Sequence, residues 1–200
     1  MNVQFHFDFG SPNAYLSHLI IPGIEQRTGV TFDYIPALIG GVFKATNNAS
    51  PMVTMAGVLN KPEYQALETE RFLKKHKITN YQSNPFFPVN TLQIMRGAVF
   101  AQQQPYFKQY VDEVYRHMWA EPKKMDEPDV IRQALESAAL PVDGIFAGMV
   151  LPETKQALIA NTNRSVEMGA FGSPTFFVDG EIFFGKDKLW EVEEMLSSQD

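Results

Sequence analysis

The chain has 200 residues, 17 Lys and Arg against 23 Asp and Glu for a net charge of −6, and no cysteine. A scattered, minority basic complement argues against nucleic acid or an anionic membrane surface as the main partner, and a chain without thiols cannot exchange disulfides through its own side chains. No basic-then-apolar leader precedes the first strand and no apolar run approaches a membrane span, so the expectation is a cytoplasmic protein long enough to bury a core without disulfides.

Phe5, Phe7 and Phe9 alternate with His6 and Asp8, the period of two of a strand with one strongly apolar face. Gly10 lets the chain turn, Ser11 is a good N-cap, and Pro12 suits the first helical position, where its missing N–H costs nothing. Tyr15, Leu16, Leu19, Ile20 and Ile24 continue a helix to Gly29, with Pro22 predicting a kink or break. Val30, Phe32 and Tyr34 form a second strand that stops at Pro36, so the unit is a right-handed βαβ crossover with parallel strands. From Leu38 a loop is expected through Gly40, Gly41, Asn47, Asn48, Ser50 and Pro51, followed by helices with no convincing strand between them. Asn60 with Glu63 reads as a capping box, Asn90 or Thr91 opens the next helix, Pro105 a third, Asp126 caps a fourth, and Pro152 starts one running to about Gly169. Phe176–Val178 and Ile182–Phe184 flank Asp179-Gly180 as a hairpin, and Leu189 to Leu196 form a terminal helix. No internal repeat is found.

Strand, helix, strand, insertion, helix, hairpin and helix describe an α/β chain: a thioredoxin-like domain over residues 1–38 and 152–200, interrupted by an all-helical insertion domain over 39–151. The Ser11 hydroxyl then stands at the positive end of a helix dipole, a place suited to an anion. His6, His18, His76 and His117 show no triad or metal-ligand spacing.

Phe7-Asp8-Phe9, Ser11-Pro12 and Tyr15 fit the signature Phe-x-Asp-x-x-Ser-Pro-x-x-Tyr, and together with Gly172-Ser173-Pro174-Thr175 they resemble 2-hydroxychromene-2-carboxylate isomerases and kappa-class glutathione transferases, the glutathione-dependent relatives on the DsbA-like branch of the thioredoxin fold. In that fold Gly-x-Pro-Thr lies opposite the strand-to-helix corner with its proline cis. The resemblance implies glutathione as cofactor, its cysteinyl backbone paired with that of Ser173 ahead of Pro174, its sulfur held by a hydrogen bond from Ser11. It implies further glutathione contacts from Asn48, Lys186 and Asp187, although relatives carry a small polar residue where Lys186 stands; Asp187 would face the γ-glutamyl ammonium or cap the last helix. Lys44 matches a basic residue near the second substrate, and Phe87-Pro88-Val89-Asn90 through Arg96 matches a segment lining that pocket, which brings in Asn90 and Thr91. Thr91 departs from an aromatic hydroxyl at its position. The implied activity is isomerisation of an unsaturated aromatic oxo-acid by reversible thiolate addition. A kappa-like transferase conjugating small electrophiles is the nearest alternative. A cysteine-less peptide-binding protein using the groove beside Pro174 is the alternative from another class. The family's habit of pairing makes a homodimer a further expectation.

Overall fold

In the computed structural model, which describes residues 1–198, strand β1 (Val3–Phe7) is hydrogen-bonded on both edges and leads directly into the corner that carries Ser11. Strand β2 (Phe32–Pro36) runs parallel to it and β3 (Thr175–Val178) antiparallel, with β4 (Glu181–Phe184) outside β3, giving the order β2-β1-β3-β4. Phe5 sits opposite Tyr34 on one side and Phe176 on the other, and its ring stacks on Phe176 at 5.3 Å between centroids. The polar residues alternating with these phenylalanines are buried too, because β1 is covered on its second face as well. His6 Nδ1 lies 2.6 Å from Ser165 Oγ.

The strand stops at Phe7, two residues before Phe9, because Asp8 bends the chain: its side chain accepts the Gly10 N–H at 2.7 Å and its carbonyl the Ser11 N–H at 3.1 Å. Helix α1 (Pro12–Thr28) follows at once, with Ser11 Oγ accepting the Ala14 N–H and Gly29 closing the other end. It runs unbroken through Pro22, so of the expected kink or break the break does not occur. Proline removes one bond to the carbonyl four residues back, and the burial of Ile21 and Ile24 on either side holds the turn.

Between β2 and the later strands come α2 (Ile39–Thr46), α3 (Pro51–Met55), α4 (Lys61–His76), α5 (Leu92–Ala101), α6 (Phe107–Trp119), α7 (Pro128–Ser137), α8 (Val142–Val150) and α9 (Pro152–Glu167). A short 3-10 turn (Lys186–Lys188) and α10 (Leu189–Ser197) end the fold. Helix α2 replaces the loop expected from Gly40 and Gly41. A Cβ on Gly41 would stand 2.9 Å from Thr162 Cγ2, so the glycine serves a close helix contact with α9 rather than a turn. Asn60 takes a left-handed φ of 67° and makes no side-chain cap, and Asp126 instead accepts the Asn90 N–H at 3.3 Å, so neither caps a helix as predicted. One apolar cluster joins Phe5, Phe7 and Phe9 of the first segment to Tyr110 and Tyr115 of α6 and Leu158 of α9. Among the described residues no helix is long and apolar enough to cross a membrane.

Candidate active site

Ser11 sits where β1 gives way to α1. Its Oγ donates to the Ser173 carbonyl at 2.8 Å and accepts the Ala14 N–H at 3.2 Å, with 5% of the residue exposed. Ser173 answers through its own hydroxyl, which accepts the Asp8 N–H at 3.1 Å, and the Ser173–Pro174 peptide is cis. Corners 162 residues apart in sequence therefore touch directly.

Beneath them lies Asp8, fully buried. Its Oδ1 accepts from Gly10 N and its Oδ2 from Ile39 N at 2.8 Å, and Thr91, the residue before α5, is a third hydrogen-bonding neighbour of the carboxyl. Burial pushes this carboxyl above its ordinary value, against the opposing pull of those three donors. On the outer side an aromatic wall rises: Tyr15 stacks with Tyr81, Tyr81 with Trp119, and Phe87 tilts against Trp119, whose Nε1 donates to the Phe9 carbonyl at 2.7 Å. Trp119 is thus both core and a brace for the turn that carries Ser11.

The Gly185 N–H bonds the Pro174 carbonyl at 3.0 Å, which sets the 3-10 turn beside the proline. Lys186 is 5% exposed there; its Nζ donates to both Asp187 oxygens at 2.7 and 2.8 Å and stands 4.5 Å from the centre of the Phe72 ring of α4. The Asp187 side chain is 69% exposed and makes no cap to α10. A cleft of about 430 Å³ between α1, α4 and α10 is lined by Lys186, Asp187, Phe72 and Arg71. Asn48 is exposed, and its Nδ2 donates to the Phe171 carbonyl at 2.8 Å, tying it to the loop that leads to Ser173.

Lys44 lies elsewhere, on the wall of a second cleft of about 420 Å³ with Leu92, Arg96 and Leu158. Asn90 is exposed and starts α5 by accepting the Leu92 N–H at 3.0 Å, whereas Thr91 is buried against Asp8 and Gly10. The site brings together Ser11, Ser173, Pro174 and, through Asp8, Thr91; Lys186 and Asp187 adjoin it, and Lys44 belongs to the neighbouring cleft. Sequence reasoning assigned Asp8 no role, although a carboxylate alternating with aromatics in a strand is a visible signal. Lys155, which lines the same cleft as Lys44, carries no local signal at all.

The sequence model of the family described as DSBA-like thioredoxin domain matches residues 2–197. The chain is 26% identical over 199 residues to the 2-hydroxychromene-2-carboxylate isomerase of Sphingobium xenophagum, covering 97% of each. It is 24% identical over 208 residues to glutathione S-transferase kappa 1 of Caenorhabditis elegans, covering 97% of this chain and 90% of that one. A solved 2-hydroxychromene-2-carboxylate isomerase structure superposes with a TM-score of 0.84 at 22% identity, over 98% of this chain and 94% of that one, a likeness of fold.

Proposed function

We propose, from the premise that the chain belongs to the DSBA-like thioredoxin domain family, that it is a glutathione-dependent isomerase of an unsaturated aromatic oxo-acid, drawing on the glutathione of a reducing cytoplasm. The observation that carries this reading is the 2.8 Å bond from Ser11 Oγ to the Ser173 carbonyl at the mouth of α1. It is a donor and an acceptor satisfying each other where an extended thiol peptide would need both. When the peptide's sulfur takes the hydroxyl hydrogen, the Ser173 carbonyl is free for the peptide's amide N–H, as in strand addition to a sheet edge. One bond replaces one, so neither group is left buried and unpaired. The residues present therefore fit the tripeptide.

Glutathione supplies a thiol whose ionised form adds reversibly to an electrophilic carbon. Ser11 does not act as a hydrolase nucleophile, since its hydrogen bonds run to backbone groups and not to a histidine or acid. Its work is to stabilise the sulfur anion. Lowering a thiol from about 8.5 by roughly two units requires about 2.7 kcal/mol. One charge-assisted hydrogen bond of about 1.5–3 kcal/mol plus about 0.3–1 kcal/mol from the helix terminus covers it. The Ala14 N–H holds Oγ in place while its hydrogen turns. Asn48, Asp187 and the backbone of Lys186, whose side chain is already engaged by Asp187 and Phe72, are assigned to the rest of the tripeptide. Lys44, Asn90 and Thr91 are assigned to the second substrate, the first by lining the neighbouring cleft and the others by shaping the start of α5.

Titrating glutathione with the protein across pH, and following the ultraviolet absorbance of the thiolate, tests this. The wild type should ionise the bound thiol about two units below its free value, and Ser11→Ala should return it to that value while staying folded, its melting temperature lowered by a few degrees through loss of the α1 cap. An unaltered ionisation in Ser11→Ala removes the assigned role. The likeness to a kappa-class transferase keeps conjugation as a second reading, told apart by whether glutathione is consumed or recovered.

A further inference from the structure

We propose that the cleft between α2, α5 and α9 binds an organic acid carrying two carboxylates on one unsaturated apolar body, which names the class of the second substrate and in that sense rests on the reading above. Lys44 from α2, Arg96 from α5 and Lys155 from α9 line the cleft together, and no Asp or Glu does. Among the described residues none of the three has an ion-pair partner, whereas Arg27, Arg71, Lys108, Arg116, Lys124, Arg132, Lys186 and Lys188 each pair with a carboxylate. The Arg96 Nε is buried with no hydrogen-bond partner. An unsatisfied buried guanidinium nitrogen is costly to keep, and a carboxylate is the group its planar fork fits.

In a chain of net charge −6, three cations gathered without a counter-charge are not general surface basicity. One carboxylate on Arg96 leaves two ammonium groups on the cleft's lining, and a second carboxylate offsets one of those two charges. Between the charges the walls are apolar, with Leu92, Leu158 and Ile159, which suits a flat hydrocarbon body rather than phosphate or sulfate. The cleft's base is fixed, since Thr162 accepts the Leu38 N–H at 3.0 Å and Gly41 lets α2 close against it. Its volume of about 420 Å³ admits an aromatic acid of ordinary size. Leu92 on its wall follows Thr91, which packs over Gly10, the neighbour of Ser11.

Calorimetric titration of the full chain, without glutathione, should use benzylidenepyruvate as the one-carboxylate probe and its 3- and 4-carboxy derivatives as two-carboxylate probes. The better diacid should bind at least tenfold tighter than the monoacid, and in Lys155→Met or Lys44→Met that preference should fall below threefold with the melting temperature retained. A preference below threefold in the wild type, a preference that survives both substitutions, or no binding of any probe overturns the proposal. Glutathione titrated separately distinguishes the two readings: a diacid preference in a protein that ignores glutathione sinks the thiol reading alone, and glutathione binding without a diacid preference sinks this one alone.

Discussion

Lys186 spends its charge inside the molecule, on the two oxygens of Asp187 and against the Phe72 ring. If Asp187 is to meet the ammonium of a γ-glutamyl group, an internal ammonium already stands there. Lys186→Met should therefore tighten glutathione binding at least threefold by calorimetry, while costing about 1 kcal/mol of stability from the lost ion pair and ring contact; weaker binding in the variant would show that Lys186 itself holds the ligand. At this scale the sequence was legible wherever the signal is local. Ser11 and Pro12 announce a helix start within two residues, and the structure has that helix start. The burial of Lys186 was not legible, because the ring covering it comes from α4, far away in the chain, and nothing adjacent to Lys186 encodes Phe72.

Elements were legible in proportion to how much of their shape local pattern determines. The four strands, α1 and the terminal helix stand close to where alternation, capping and the Asp179-Gly180 turn put them. Helix α2 was missed because Gly40 and Gly41 read as part of a loop, and α8 was not read at all; Gly41 and Gly148 each leave room for a neighbouring side chain to approach. A Cβ on Gly148 of α8 would lie 2.2 Å from Cγ of Phe100 on α5, too close to the ring's attachment for a small swing to relieve. Gly148→Ala should accordingly destabilise the fold by about 2 kcal/mol, as overpacking does, despite the gain in helix propensity. Denaturant unfolding checks this, and a more stable variant would mean that α8 carries no such tight contact. Asn60 and Asp126 misled in the other direction, since each has the right chemistry for a cap but is occupied by backbone conformation or by another partner.

The molecule as a whole should weaken in mild acid. His6 is 2% exposed between Ser165 and Gln4, and burial first, then the nearby charge of Arg164, lowers its pKa from 6.5 to about 4. The unfolded chain thus takes up a proton near pH 6.5 that the folded chain refuses until about 4, so stability present above that window is lost as pH falls through it, by about 3 kcal/mol at its foot. Asp8 has the opposite sign: its raised carboxyl favours the folded state at low pH, and that contribution is lost as pH rises through its folded value. Unfolding of wild type and His6→Gln at pH 7 and pH 4 separates them, with the variant expected to show the smaller loss; equal losses would clear His6 of the effect. Asp8 matters in another way. It accepts from the turn bearing Ser11 and from the opening N–H of α2, and neighbours Thr91 at the start of α5, and α2 and α5 are walls of the neighbouring cleft. A single buried carboxylate thus ties the corner that carries Ser11 to the starts of two helices that wall the neighbouring cleft, so moving either helix start away from Asp8 would cost that corner a hydrogen-bond partner's support.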